Sequence, residues 1–259
     1  MHRSSGFSLV ELSIVLVILG LLTGGILGGQ SLIRAAELRA VSTEYNRYVT
    51  ATQTFRDKYF ALPGDMTNAT AFWGATDPSP ATCIVTVGSG TQTCNGDGNG
   101  RVETTALTAT HYSEVFTFWQ HLAQAGLVEG TYTGRVGAGG GGESTTSNSP
   151  RSKYQQALWF PFNWNTSFSG TAQYDGSYRD NLFQFGAFAA GGTPANPVMR
   201  AEDAWNLDTK MDDGRPAYGG VRARFWGGTC TDAANSAALN SNYLLSATAN
   251  GCVMLFSLK

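Results

Sequence analysis

The stretch that decides the fold is Gly6-Phe7-Ser8-Leu9-Val10-Glu11-Leu12-Ser13-Ile14-Val15-Leu16-Val17-Ile18-Leu19. It leads into a run from Leu12 to Ile33, 22 positions without a charged residue. As a helix rising about 1.5 Å per residue, that run covers the roughly 30 Å hydrocarbon core of a bilayer. Upstream lie only Met1 to Gly6, with Arg3 as the single Lys or Arg. Arg34 and Arg39 follow the run, so flanking charge does not set orientation strongly. A conventional secretory signal has a basic start, a short apolar stretch and a small-residue cleavage site. Here the apolar stretch is too long and flows into a helical pattern. A plain signal-anchor accounts for the span but not for Glu11. A carboxylate inside a bilayer costs about 2.5–3.5 kcal/mol and usually has a partner. A free amine made by cutting just before Phe7 is a suitable one, in the same chain or in a neighbour of a packed bundle.

Gly6, Phe7 and Glu11 at these offsets, ahead of an uninterrupted apolar run, resemble the prepilin cleavage and methylation signature of type IV pilins and type II secretion pseudopilins. The resemblance implies that a prepilin peptidase cuts after Gly6. It implies that the new amino group of Phe7 is methylated and that Glu11 helps set the register between subunits. Other pilin or pseudopilin subunits and an inner-membrane assembly platform are the implied partners. The implied location is a single-pass inner-membrane protein with a periplasmic head, passing into a pilus or pseudopilus. Many major pilins carry a Pro about two-thirds along the span. This chain has Gly24, Gly25, Gly28 and Gly29 there instead. Each Gly costs about 1 kcal/mol of helix propensity relative to Ala. The segment is expected either to loosen in a filament or to pack its small residues against neighbouring membrane helices.

Beyond Arg34 the pattern turns amphipathic. Val41, Tyr45, Tyr48, Thr52, Phe55 and Tyr59 recur at spacings of four and three and form one stripe. Arg39, Glu44, Arg47, Arg56 and Lys58 fall largely off it. The spacing predicts one helix from about Ser8 to Tyr59, ended by Pro63 and Gly64, with its aromatic stripe laid on a sheet. The expected organisation is a leader at 1–6, a membrane or filament-core helix at 7–33, its amphipathic half at 34–60, and a head at 61–259. The fold class expected is α+β and pilin-like: a long N-terminal helix on an antiparallel sheet, with a second short helix and long loops.

Within the head, Leu62-Pro63-Gly64-Asp65-Met66 and Phe118-Trp119-Gln120-His121-Leu122 also resemble segments of pilin-like proteins. Residues Tyr112 to Ala125 read as the second helix, with Val115, Phe118, Trp119 and Leu122 on its apolar face and Gly126 as its cap. His121 reads as structural. Gly137 to Gly142 formally contains GxGxxG, but no helix follows to receive a phosphate, so 137–150 reads as a mobile loop. From Ala157 onward the chain reads as β. One segment carries Trp159, Phe160, Phe162 and Trp164, another Leu182, Phe183, Phe185 and Phe188, and the last strand spans Cys252 to Leu258. Short, turn-rich connections favour antiparallel pairing.

Two segments are candidate calcium sites. In Cys94-Asn95-Gly96-Asp97-Gly98-Asn99-Gly100, the oxygens of Asn95, Asp97 and Asn99 alternate as in the first half of a calcium loop. The match is partial, since only Asp97 is charged and position twelve is Ala106; a tight Gly/Asn turn is the alternative. In Asn206-Leu207-Asp208-Thr209-Lys210-Met211-Asp212-Asp213-Gly214-Arg215, three carboxylates precede a Gly turn. By resemblance to pseudopilins, whose C-terminal calcium loop orders the head, Asp208, Asp212 and Asp213 are candidate ligands. The alternative is an Asp-capped turn with Lys210 and Arg215 as ion partners.

The four cysteines fall into two local pairs with no CxxC. In an exported chain they read as disulfides Cys83–Cys94 and Cys230–Cys252, with pairing across the groups or free buried thiols as the alternatives. Net charge is −2 and only 14% of residues are charged, which argues against a nucleic-acid surface and against a cytosolic enzyme. The three histidines are His2, His111 and His121, and there is no GxSxG, HExxH or CxxC. A structural filament subunit, minor pilin or pseudopilin, is therefore the leading reading. A membrane-anchored periplasmic binding protein or enzyme is the alternative, and a DNA-uptake pilin a third. No catalytic residue is expected, and no cofactor apart from the candidate calcium.

Overall fold

The computed structural model describes residues 8–75, 92–103, 113–163, 174, 180–224, 229–235 and 237–258. Helix α1 runs unbroken over Leu9–Tyr59, 51 residues, or about 76 Å at 1.5 Å per residue. Ser8 caps it: the side chain accepts the Val10 N–H, and the Glu11 carboxylate accepts the Ser8 N–H at 2.8 Å. This reciprocal arrangement satisfies backbone donors that have no partner within the helix. Phe60 ends α1 in the left-handed conformation, φ 53°, and donates its N–H to the Arg56 carbonyl. The four glycines near the end of the apolar run remain helical, with open space around them.

The two halves of α1 have different surroundings. None of the most apolar stretch is buried against the rest of the chain. Packing begins at Leu38 and Val41, and Val41, Tyr48, Thr52 and Phe55 are then buried. Tyr48 lies edge-on to Trp119, Trp159 and Phe183, with centroids 4.9, 5.7 and 6.2 Å away.

The short helix α2 spans Ala69–Trp73 and α3 spans Glu114–Gln124. The expected second helix is thus present, and Tyr112 lies outside the described residues. Strands β1 (Leu158–Asn163), β2 (Asn181–Gly186), β4 (Val221–Ala223) and β6 (Met254–Ser257) form an antiparallel sheet in the order β1-β2-β6-β4. Strands β3 (Met199–Arg200) and β5 (Asn250–Cys252) make a second, two-stranded sheet. The register places Trp159, Phe183, Phe185 and Phe256 on one face of the larger sheet, and Tyr45 and Tyr48 pack on that face. On the opposite face, Gln184 holds the 193–194 loop through Thr193 Oγ1 and the Pro194 carbonyl. With both faces covered, the strands read as continuous apolar runs.

Three expectations about this half of the chain change. Residues 201–211, within the part expected to be β, form a helix, α4 (Ala201–Met211), with Ala201, Asp203, Ala204, Leu207 and Asp208 buried. Phe188 lies beyond β2 and is half exposed, while Trp164 falls outside the described residues. The final strand is two strands, β5 and β6, separated at Val253. Cys230 and Cys252 form a disulfide across 22 residues, a loop whose closure is worth about 3 kcal/mol in unfolded-state entropy. The expected Cys83–Cys94 bridge involves Cys83, outside the described residues. The 137–150 loop is a chain of turns in which Glu143 accepts the N–H groups of Gly139 and Gly191, and Asn148 donates to the carbonyls of Arg135 and Glu143. Where a phosphate cradle would need free N–H groups, the chain supplies its own carboxylate.

Candidate functional site

The N-terminal site is a linear segment, not a pocket. Gly6 and Phe7, the candidate cleavage and methylation positions, lie outside the described residues, as do His2 and His111. Glu11 is described, and it is not without a partner in the uncut chain. Its carboxylate caps the helix through the Ser8 N–H. The offset of three between Ser8 and Glu11 therefore has a local cause. A carboxylate one turn into a helix faces the N-terminal donors and the positive end of the helix dipole.

The first acidic cluster joins three segments that sequence reading kept apart. The turn after α1 supplies Asp65, the 95–100 loop supplies Asp97, and the start of α3 supplies Glu114; one carboxylate oxygen from each lies within 4.8 Å of the others. Asn95 and Asn99 do not join it through their side-chain oxygens. Asn95 Oδ1 accepts the Thr70 N–H and Asn99 Oδ1 the Arg101 N–H, so each serves a turn. The acidic group that meets here is Asp65, Asp97 and Glu114, of which the sequence reading had Asp97 alone. Gly64 makes the approach possible. Its φ is +85°, and a Cβ there would collide with the Glu114 carbonyl. Its N–H donates to His121 Nδ1 at 3.0 Å, and His121 Nε2 meets Thr93 Oγ1 at 2.9 Å. His121 is thus a buried tie between turn and helix, its pKa lowered by burial to about 3.

Each carboxylate of this cluster organises backbone. Asp65 accepts the N–H groups of Asn99 and Gly100, Asp97 that of Asn99, and Glu114 those of Asp97 and Glu103. Burial raises the Asp65 pKa to about 6, against the Gly100 N–H, which lowers it. Burial raises Glu114 to about 7, against the N–H bonds from Glu103 and Asp97. Asp65 also lines an open cleft of about 670 Å³ beside Arg56, Asp57 and Phe60.

The second cluster holds Asp208, Asp212 and Asp213, the set expected from sequence, with one oxygen of each within 4.8 Å of the others. It sits at the C-terminal end of α4, where unpaired carbonyls already make the potential negative. Asp208 is buried, and it accepts the Tyr243 hydroxyl at 2.8 Å and the Gly214 N–H at 3.2 Å. Asp212 accepts the N–H groups of Gly220 and Val221, and Asp213 that of Arg215. Neither Lys210 nor the Arg215 side chain forms an ion pair with them among the described residues. Burial raises the Asp208 pKa to about 7, with the Tyr243 bond acting in the opposite sense. Carboxylate oxygens keep further acceptor capacity beyond one donor each, so this donor set fits an oxygen-seeking cation such as calcium.

Residues 1–27 match the family described as the prokaryotic N-terminal methylation motif. The chain therefore carries the N-terminal signature of type IV pilins and pseudopilins, and that signature implies processing by prepilin peptidase and assembly with other pilins. No curated protein and no solved structure matches the chain.

Proposed function

We propose that this chain is a minor pilin or pseudopilin, cut after Gly6, methylated at Phe7 and assembled through α1 into a type IV pilus or a type II secretion pseudopilus. The observation that carries the reading is continuity. The matched motif runs without a break into a helix whose apolar half makes no buried contact with the head. Such a surface has to be covered by lipid or by other copies of the same kind of helix. At 253 residues after loss of six from 259, the chain is large for a plain repeating subunit, which favours a minor or tip position. Mass spectrometry of the mature chain tests it. A mature N-terminus at methylated Phe7 is the expected result; retention of Met1–Gly6, or cleavage elsewhere, overturns the reading.

The same reading includes calcium at Asp208, Asp212 and Asp213, where it would neutralise three carboxylates and the end of α4 together. Calorimetry of the full chain in detergent is expected to show heat of binding and a raised Tm at millimolar calcium. The absence of both refutes calcium without touching the filament reading.

A further inference from the structure

The apolar run of α1 ends at Ile33, and its length matches the hydrocarbon thickness, so residues 30–37 lie at the level of the lipid headgroups. At that level the head and the helix form an open cavity of about 190 Å³ between them. Gln30, Ile33, Arg34 and Glu37, spaced to share one face of α1, form one wall. Gln155 before β1 and Arg200 and Asp203 at the start of α4 belong to the other.

The charges in this cavity are not all used. Arg34 is engaged: its Nε donates to Asp203 Oδ1 at 2.7 Å and its Nη2 to Glu202 Oε2 at 3.2 Å. Asp203 also accepts the Tyr154 hydroxyl at 3.1 Å. Arg200 and Glu37 are left. Both are half-buried, both line the cavity, and neither side chain has an ion pair or hydrogen bond among the described residues. A cation and an anion thus face one cavity without pairing. A half-buried charge with no partner in its own chain is left to water or to a ligand of opposite charge.

We propose that the cavity binds the headgroup of a zwitterionic phospholipid bearing a primary amine, with its phosphate on Arg200 and its ammonium on Glu37. The proposal rests on α1 spanning the bilayer. An anionic headgroup without an amine satisfies Arg200 but sets its charge beside Glu37, Asp203 and Glu202. A quaternary ammonium headgroup has the charge but no N–H to donate to Glu37. Only the primary amine satisfies both groups.

The full chain is reconstituted in nanodiscs holding equal amounts of phosphatidylethanolamine, phosphatidylcholine and phosphatidylglycerol with the same acyl chains. Detergent extraction follows, and the retained lipid is counted by mass spectrometry. Phosphatidylethanolamine is expected to be enriched about tenfold over the other two, the size of one charge-assisted hydrogen bond. Arg200→Gln is expected to remove the enrichment and Arg200→Lys to keep most of it. Glu37→Gln is expected to move the preference to phosphatidylglycerol, a change that general destabilisation does not produce. Insertion without selectivity, or a wild-type preference for phosphatidylglycerol, overturns the proposal alone. Failure to insert into any bilayer overturns the anchoring reading, and the proposal with it.

Discussion

The two halves of α1 share one backbone and one direction but solve different problems. Between Leu12 and Ile33 no residue is charged, and the most apolar stretch has none of its length buried against the rest of the chain. From Arg34 to Tyr59 only one stripe is apolar, and that stripe is buried in an aromatic core. A helix that is apolar all round needs a medium or a bundle, whereas an amphipathic one needs a single partner surface. The first half therefore leaves an apolar surface for lipid or neighbouring helices to cover, and the second holds the head. The Arg34 ion pairs to Glu202 and Asp203 lie at the join.

The sharpest way to break this division is at Glu11. Glu11→Ala is expected to leave membrane insertion and head stability unchanged but to cut filament yield by roughly a hundredfold or more, as removing one partner of a buried ion pair, about 3–5 kcal/mol, predicts. Pulldown of sheared filaments against total membrane protein measures it. Tyr48→Ala is the reverse case. It removes a buried aromatic that touches three others and is expected to destabilise the head by about 3–5 kcal/mol. Insertion should be unaffected, as denaturant melts and carbonate extraction of one preparation would report.

Replacing Gly24, Gly25, Gly28 and Gly29 together by Ala adds about 4 kcal/mol of helix propensity to the assembly half alone. If that segment loosens in the filament, force-extension curves should shorten; unchanged extension supports close packing of small residues instead. At the join, Arg34→Ala is expected to cost about 2 kcal/mol, since Asp203 loses a charge-assisted bond but keeps Tyr154. Faster hydrogen exchange confined to α4 and residues 34–41 would locate the loss; uniform exchange would deny the join a local role.

The last contrast is in pH dependence. Asp65, Glu114 and Asp208 have folded pKa values of about 6, 7 and 7, above the unfolded values of 3.8, 4.5 and 3.8. The folded state holds these protons longer, so stability falls as pH rises from about 4 to about 7. In chelator the head should melt at a higher temperature at pH 5 than at pH 7.5, and calcium should narrow that gap. A flat Tm across this range in chelator would remove the account of buried, protonated carboxylates.

Much of this was legible in the sequence because it is local. The 3.6-residue period of Val41, Tyr45, Tyr48, Thr52 and Phe55 announces a buried face, and an uncharged run of 22 residues announces a helix long and apolar enough to cross a bilayer. Helix α4 was missed although Ala201, Ala204, Leu207 and Met211 carry a helical spacing. Asp208, Asp212 and Asp213 drew the reading toward a calcium loop at its C-terminal end, and Trp205 and Asn206 blurred the pattern. Asn95 and Asn99 were expected as ligands from alternation alone. Which carboxylates meet depends on Gly64 letting the turn approach α3, and that contact spans about 50 residues of sequence.

By itself, then, the sequence determined the processing signature, the span, the stripe and the α+β class. Each depends on neighbours within one or two helical turns, where backbone geometry dictates who shares a face. Only the tertiary structure decided that Asp65 and Glu114 join Asp97, that Asp208 belongs to a helix end beside Tyr243, and that Arg200 and Glu37 line one cavity. Those meetings are made by packing between distant segments, and residue spacing carries no record of them.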